Sequence, residues 1–293
     1  MSDQRPQRNT NPTHPDPNSL DSAQIPLVPQ NPGTVLVIGA TVLDRIFYVE
    51  SLPRPGETSI GHRMEIHPGG KGANQALAAQ RMGAEVLFIS AVGDDHPGEI
   101  ALQPLLDAGV NLEGVVTVPG QPTAEAIISV DVNGENQITA CPGAYHHLRP
   151  EHLDRKLHLF RRANWLLIQN ELPTKTVEHA VALAREHDLK IIFNPDPFTP
   201  KSPRPPRGLH ALVPNEMQAC CILGVKDYKS VPITERCMNW SGIGARHVIV
   251  TLGPTGVEWM KHDGERRTFV PLEVEVVDSV GAGDAFCGAL TAF

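Results

Sequence analysis

Residues 34–40 read TVLVIGA, and this stretch sets the fold class. A continuous apolar run that stops at Gly39 suits a parallel strand buried on both faces. The same rhythm repeats outward along the chain. EVLFISAV (85–92) reads as a strand, followed by a helical stretch near 98–108. Pro104 lies inside that stretch and is expected to kink or restart the helix. Then come NWLLIQ (164–169), a helix over about 174–187, and KIIFN (190–194). ALVPNE (211–216), a helix near 217–223 and HVIVTLG (247–253) complete the series. Strands alternating with helices predict an α/β fold with a parallel sheet covered on both faces. Ligands of such sheets sit at the carboxyl ends of the strands. Gly39, Glu171, Asn194, Asn215 and Gly253 all stand at such ends.

Two regions break the rhythm. Residues 44–67 and 123–140 read as short strands with tight turns, and Asn133-Gly134 carries a hairpin signal. They are expected to form a small sheet standing off the main layer. The proline-rich stretch 195–207 reads as a long surface connection only. Residues 1–33 are rich in Pro, Asn, Gln and Asp and are expected to be a disordered tail. The start has no apolar core of a secretory signal. No run approaches the roughly eighteen apolar residues of a membrane span. A net charge of −8 argues against a nucleic-acid surface or an acidic-membrane anchor, so any phosphate must be held locally. Five cysteines without ordered spacing suggest reduced thiols in a cytosol, and adjacent Cys220 and Cys221 do not resemble a zinc pair.

Two glycine-rich segments carry chemistry. Residues 278–290 read DSVGAGDAFCGAL, and a short strand over 272–277 is expected to run into them. Gly281 and Gly283 let backbone N–H groups approach an oxyanion, and the start of the following helix adds partial positive charge. Asp284 then stands beside that anion hole. Such a cradle with a neighbouring carboxylate suits phosphoryl transfer, the carboxylate taking the proton of the attacking hydroxyl. A plain glycine turn capped by an aspartate is the structural alternative. Residues 67–83 read HPGGKGANQALAAQRMG, with a helix expected over about 73–82 and stopped by Gly83. Lys71 and Asn74 there could bind the hydroxyls of a sugar; a close helix–strand contact is the alternative. The spacing is not that of a Walker A loop, and no G-x-G-x-x-G follows the first strand, which argues against a nicotinamide enzyme.

GGKGANQ near the front and DSVGAGD near the back together resemble the two signatures of the ribokinase-like sugar kinases, the PfkB family. The resemblance spans about residues 34–293. It implies a three-layer sandwich, a mostly parallel sheet flanked by helices, with a small β-sheet lid over the sugar that can also pair two copies into a homodimer. It implies ATP-dependent phosphorylation of a sugar hydroxyl in the cytoplasm, with D-ribose to ribose 5-phosphate as the leading reaction. The catalytic base falls on Asp284 and the anion hole on Gly281, Ala282 and Gly283. Sugar contacts fall on Asp44, Gly70, Lys71, Gly72, Ala73, Asn74 and Glu171, with Asp284. ATP contacts fall on Asn215, on Thr251, Leu252, Gly253, Pro254, Thr255 and Gly256, and on Gly283 and Asp284. Asp278 and the Val280 carbonyl match part of a K⁺ site, and Mg²⁺ is expected to arrive with ATP. Read alone, Asp44 could be a turn residue, Glu171 a helix N-terminal acid and 251–256 a hairpin turn.

Three departures from the pattern bear on activity. Gln218 stands where the family carries a glutamate, and neighbouring Glu216 is expected to point elsewhere on its helix. Val42 stands where ribokinases carry asparagine, two residues before Asp44, which removes one hydroxyl contact. The sequence ends at Phe293 in an apolar helix, whereas the resemblance implies further helices beyond it. These departures keep two other readings open: a PfkB kinase for another sugar or a nucleoside, and a catalytically weak sugar-binding or regulatory relative.

Overall fold

The computed structural model describes residues 33–293 apart from Val277, with the side chains of Ile233, Thr234 and Cys237 also outside the description. The polar tail expected over 1–33 therefore lies, except for Gly33, outside the described residues. The chain begins with β1 (Thr34–Ile38), β2 (Val42–Val49), β3 (Gly61–Gly69) and helix α1 (Lys71–Arg81). β4 (Glu85–Ile89), β5 (Ala91–Val92), α2 (His96–Asp107) and β6 (Val116–Thr117) follow. Next are β7 (Ala124–Val130), β8 (Asn136–Cys141), α3 (Pro150–Asp154) and α4 (Leu157–Arg162). β9 (Trp165–Gln169), α5 (Thr174–Glu186), β10 (Lys190–Asn194), β11 (Leu209–Leu212) and α6 (Glu216–Leu223) continue the alternation. α7 (Ile233–Ser241), β12 (Ala245–Thr251), β13 (Val257–Lys261), β14 (Arg266–Phe269) and α8 (Ala282–Ala292) close it.

The main sheet has eight strands in the order β14-β13-β12-β11-β10-β9-β1-β4. β1 lies between β9 and β4, parallel to both, with Val37 opposite Leu167 and Phe88. Val35 to Ile38 are fully buried, as an apolar run without alternation requires. Leu36 and Ile38 enter one core with residues of α4, α5 and α6; Val35 and Val37 enter the other with α1, α2 and α8. The expected three layers are therefore present.

Several elements differ from the sequence reading. β13 and β14 form an antiparallel edge on β12, with Trp259 opposite Ile249. Charged residues set among the apolar ones, Glu258, Lys261, Arg266 and Arg267, hide this pairing from a search for apolar runs. The stretch 85–92 breaks at Ser90, and β5 leaves the main sheet to pair with β6. Of the strand expected over 272–277, the described residues 272–276 join no ladder, and Leu272, Val274 and Val276 are exposed. The apolar–acidic alternation there has no neighbouring strand to bury it. α2 starts at His96 because Asp95 caps it, accepting from Gly98 N at 3.0 Å, and it runs through Pro104 without a break. α1 starts at Lys71, two residues ahead of the expected start.

The second sheet is the expected lid, four strands in the order β3-β2-β7-β8. β2 and β7 pair in parallel, placing Asp44 opposite Ala126, and β3 pairs antiparallel with Asp44 opposite His67. At the Asn133-Gly134 turn, Asp131 Oδ1 accepts from the backbone N–H groups of Asn133 and Glu135 at 2.8 and 3.0 Å.

At the opposite end of the main sheet from the strands' carboxyl ends, Trp165, His210 and His247 pack in sequence, the first pair edge-on and the second tilted, with ring centroids 5.0 and 5.1 Å apart. Burial first, then the charges of His247, Lys190 and Arg246, push the His210 imidazole down to about 4. A histidine held neutral in the fold contributes stability above its unfolded value of 6.5, and that stability is lost as pH falls toward 4. The urea midpoint is expected to drop between pH 7 and 5 and to drop less in His210→Phe.

Candidate active site

The site is built where α1 and α8 meet at the carboxyl ends of the parallel strands. Gly39, just after β1, and Gly72, in the first turn of α1, are in backbone contact. A Cβ on Gly39 would lie 2.6 Å from Gly72 Cα, and one on Gly72 would lie 2.5 Å from Gly39 Cα. Ala73 N–H donates to Ala40 O at 3.1 Å. This contact aims the start of α1, and with it Lys71 and Asn74, across the strand ends. Gly72 and Ala73, expected to touch the sugar, are instead buried against the sheet. Gly70 precedes the helix with φ 91, a backbone shape that suits glycine.

α8 approaches from the other side. Its N-cap, Gly281, is left-handed with φ 75, and a Cβ on Gly281 or Gly283 would meet nothing within 4 Å. The turn therefore presents bare backbone. Ala282 N–H donates to Ser279 O at 3.2 Å, so the cradle narrows to the next N–H groups of the first turn, which have no intrahelical acceptor. Asp284 sits in that turn and is tied to α1. Its Oδ2 accepts from Asn74 Nδ2 at 3.2 Å and its Oδ1 from Gln75 Nε2 at 2.9 Å.

Charges gather around Lys71. Its Nζ lies 3.1 Å from Asp196 Oδ2, and its backbone N–H donates to Glu171 Oε2 at 3.1 Å. Burial disfavours the Lys71 ammonium, but the charges of Asp196, Asp284 and Glu171 outweigh it and hold the group above its ordinary value. Glu171 is pushed up to about 7, chiefly by burial, with Asp284 and Asp196 adding and Lys71 opposing. Burial also raises Asp44, against the opposing effect of His67. Asp196 comes from the proline-rich segment read from sequence as a surface connection only. Its place against Lys71 corrects that reading, and no local motif marked it.

A cleft of about 730 Å³ opens beside this cluster. Lys71, Gly281, Ala282, Gly283 and Asp284 line one end, and Asn215, Thr251, Leu252, Gly253, Pro254 and Gly256 another. The hydroxyl of exposed Thr255 donates to Leu252 O at 2.8 Å. Apolar walls come from Met217, Phe269, Val270 and Pro271, residues that sequence reading passed over. Asn215 caps α6: its Oδ1 accepts from Gln218 N–H and Gln218 Oε1 accepts from Asn215 N–H, both at 2.9 Å. Gln218 is buried, with its amide oxygen engaged in this cap. Glu216, expected to point elsewhere, lines the cleft, 3.6 Å from Lys229 Nζ.

Asp278 Oδ1 accepts from Val280 N–H at 2.9 Å in an exposed turn ahead of α8. Carboxylate and carbonyl oxygens suit a hard cation, and these two residues fit part of the shell one needs. Among the described residues no cluster of three or more His, Cys, Asp or Glu side chains could hold a metal. None of the described helices is long and apolar enough to cross a membrane.

The model of the pfkB family carbohydrate kinases matches residues 33–293. A ribokinase of Haemophilus influenzae is 32% identical over 255 residues, spanning 87% of this chain and 83% of the relative. A deoxyribokinase of Salmonella typhi is 33% identical over 265 residues, with the same coverage. A bifunctional ribokinase/ribose-5-phosphate isomerase A of Fructilactobacillus sanfranciscensis is 32% identical, and the chain spans 47% of its length. Among solved structures, Arabidopsis thaliana ribokinase complexed with ribose and ATP superposes with a TM-score of 0.80 at 26% identity, covering 89% of this chain and 85% of that one.

The α1–α8 contact depends on Gly288, where a Cβ would lie 2.5 Å from Gln75 O and 2.6 Å from Ala78 Cβ. Gly288→Ala is expected to destabilise the fold by about 1–3 kcal/mol through overpacking, read from urea unfolding.

Proposed function

This chain belongs to the pfkB family of carbohydrate kinases, and we propose that it transfers the γ-phosphoryl group of ATP to the primary hydroxyl of a pentose, with O5 of D-ribose as the leading acceptor. The observation that carries this reading is Asp284 in the first turn of α8, bonded to Asn74 of the sugar-type motif and open to the long cleft. Asp44, Lys71, Asn74 and Glu171 hold the sugar hydroxyls. The cleft lined by Asn215, 251–254 and Gly256 takes the nucleotide, its apolar wall facing the base.

In this mechanism Asp284 accepts the hydroxyl proton as the new P–O bond forms and the bond to the departing ADP breaks. A carboxylate need only take the proton while bonding proceeds. The N–H groups at the start of α8 stabilise the charge that spreads over the phosphoryl oxygens. Mg²⁺ would be held largely by phosphates and water, with K⁺ at Asp278 and the Val280 carbonyl; such cations neutralise phosphate charge. Among the described residues Cys141, Cys220, Cys221 and Cys287 are free thiols, which supports a cytoplasmic setting. Pairing of two copies through the lid is supported by exposed Met64, Ile66 and Ile127. In the strand register Ile66 and Ile127 flank Arg45, on the face turned away from Asp44.

A second acceptor class is favoured by Val42. It pairs with Gly69 on the same face of β2 as Asp44, where a side chain able to bond a hydroxyl is missing. A sugar with one hydroxyl fewer, as the likeness to a deoxyribokinase also suggests, would leave nothing unpaired there.

ADP release with Mg-ATP and K⁺ is expected for ribose or deoxyribose, and Asp284→Asn is expected to lower kcat by about 10²–10⁴-fold. Turnover with neither pentose would overturn the assignment. Because Glu171 changes state near pH 7, the sugar KM is expected to fall as pH rises through that value, where the carboxylate becomes a full acceptor. Glu171→Gln should flatten that dependence.

A further inference from the structure

We propose that Gln75 is a positioning residue that sets the orientation of the Asp284 carboxylate through a chain of buried side-chain amides; this rests on the reading of Asp284 as the base. Gln75 is fully buried on α1, beneath the sugar-facing Asn74. Its Nε2 donates to Asp284 Oδ1 at 2.9 Å and to Asn194 Oδ1 at 3.0 Å. Its Oε1 accepts from Gln169 Nε2 at 2.7 Å, and Asn194 Nδ2 in turn donates to Val213 O at 2.8 Å. The chain thus joins α8, α1 and the ends of β9 and β10.

The polarity of this chain follows from one end. An ionised carboxylate can only accept, so Gln75 must turn its NH₂ toward Asp284. Its oxygen then faces Gln169, which must present its own NH₂. The Gln169 oxygen is thereby turned toward Gly39, where a Cβ would lie 2.1 Å from it. That oxygen is buried and has no hydrogen-bond partner. A buried acceptor left without a donor is costly, and the opposite orientation of both amides would set the Gln75 oxygen against Asp284. The orphan on Gln169 is the mark of a polarity imposed from the carboxylate. Asn74 holds Oδ2 from the partly exposed sugar side by the longer bond, while Gln75 holds Oδ1 from below. Oδ2 is then the oxygen that faces an incoming hydroxyl.

The test compares Gln75→Met and Gln169→Met in ADP-release kinetics. Gln75→Met keeps the volume and removes the donors; kcat is expected to fall at least about tenfold with both KM values within about twofold, as misorientation of a reacting group predicts. Gln169 touches neither Asp284 nor the cleft. Gln169→Met is expected to lower kcat severalfold in the wild-type background and to have no further effect in Gln75→Met. Unchanged kcat in both variants, or additive losses, would overturn the proposal. If Gln75→Met does not fold, the Gln169→Met result decides. A readout independent of turnover separates this idea from the kinase assignment. In Asp284→Ala the side-chain ¹⁵N–¹H signals of both Gln75 and Gln169 are expected to move. A Gln169 signal that stays in place sinks the amide chain even in a protein that phosphorylates no sugar.

Discussion

The backbone contact between Gly39 and Gly72 is the constraint on which the site depends. It brings the first turn of α1 onto the end of β1 closer than any side chain would permit. From that single approach Lys71, Asn74 and Gln75 receive their directions: toward Asp196, toward Asp284 and toward the sheet. A second close approach, at Gly288, brings α8 against the same helix and delivers Asp284 to Asn74 and Gln75. Two glycine contacts therefore align two helix starts over the strand ends, where both helix dipoles favour negative charge.

The electrostatics follow from that alignment. Three carboxylates, Asp196, Glu171 and Asp284, surround one ammonium, Lys71. Asp196 takes the closest pairing, and Glu171 is pushed up to about 7, chiefly by burial and further by Asp284 and Asp196. The cleft wall at Asn215, 251–254 and Gly256 is built differently, from backbone turns and apolar side chains with few charges.

The lid shows how little local sequence says about placement. Its strands come from two segments some fifty residues apart, joined by the parallel pairing of β2 with β7. Neither segment alone has enough apolar surface to be stable, and the sheet leaves Met64, Ile66 and Ile127 in solvent. Its position beside the strand ends follows from β2, which carries Asp44, starting only four residues after β1 ends.

Much was legible in the sequence because it is written locally. Apolar runs mark β1, β4, β9, β10 and β12, and glycines mark the starts of α1 and α8, since strand burial and helix starts act within a few residues. The two motifs place Lys71, Asn74 and Asp284 at one site through the family resemblance. Tertiary structure alone decided the rest. Asp196 reaches Lys71 across 125 residues, and Gln75 meets Gln169, Asn194 and Asp284 across 94, 119 and 209. β13 and β14 pair with a neighbouring strand whereas 271–276 have none, although both segments mix apolar and charged residues. Gly72 and Ala73 turned out to serve packing because a helix has a buried face that a linear motif does not display. Hydrogen bonds between distant side chains depend on where backbones cross, and that is settled by the packing of whole layers.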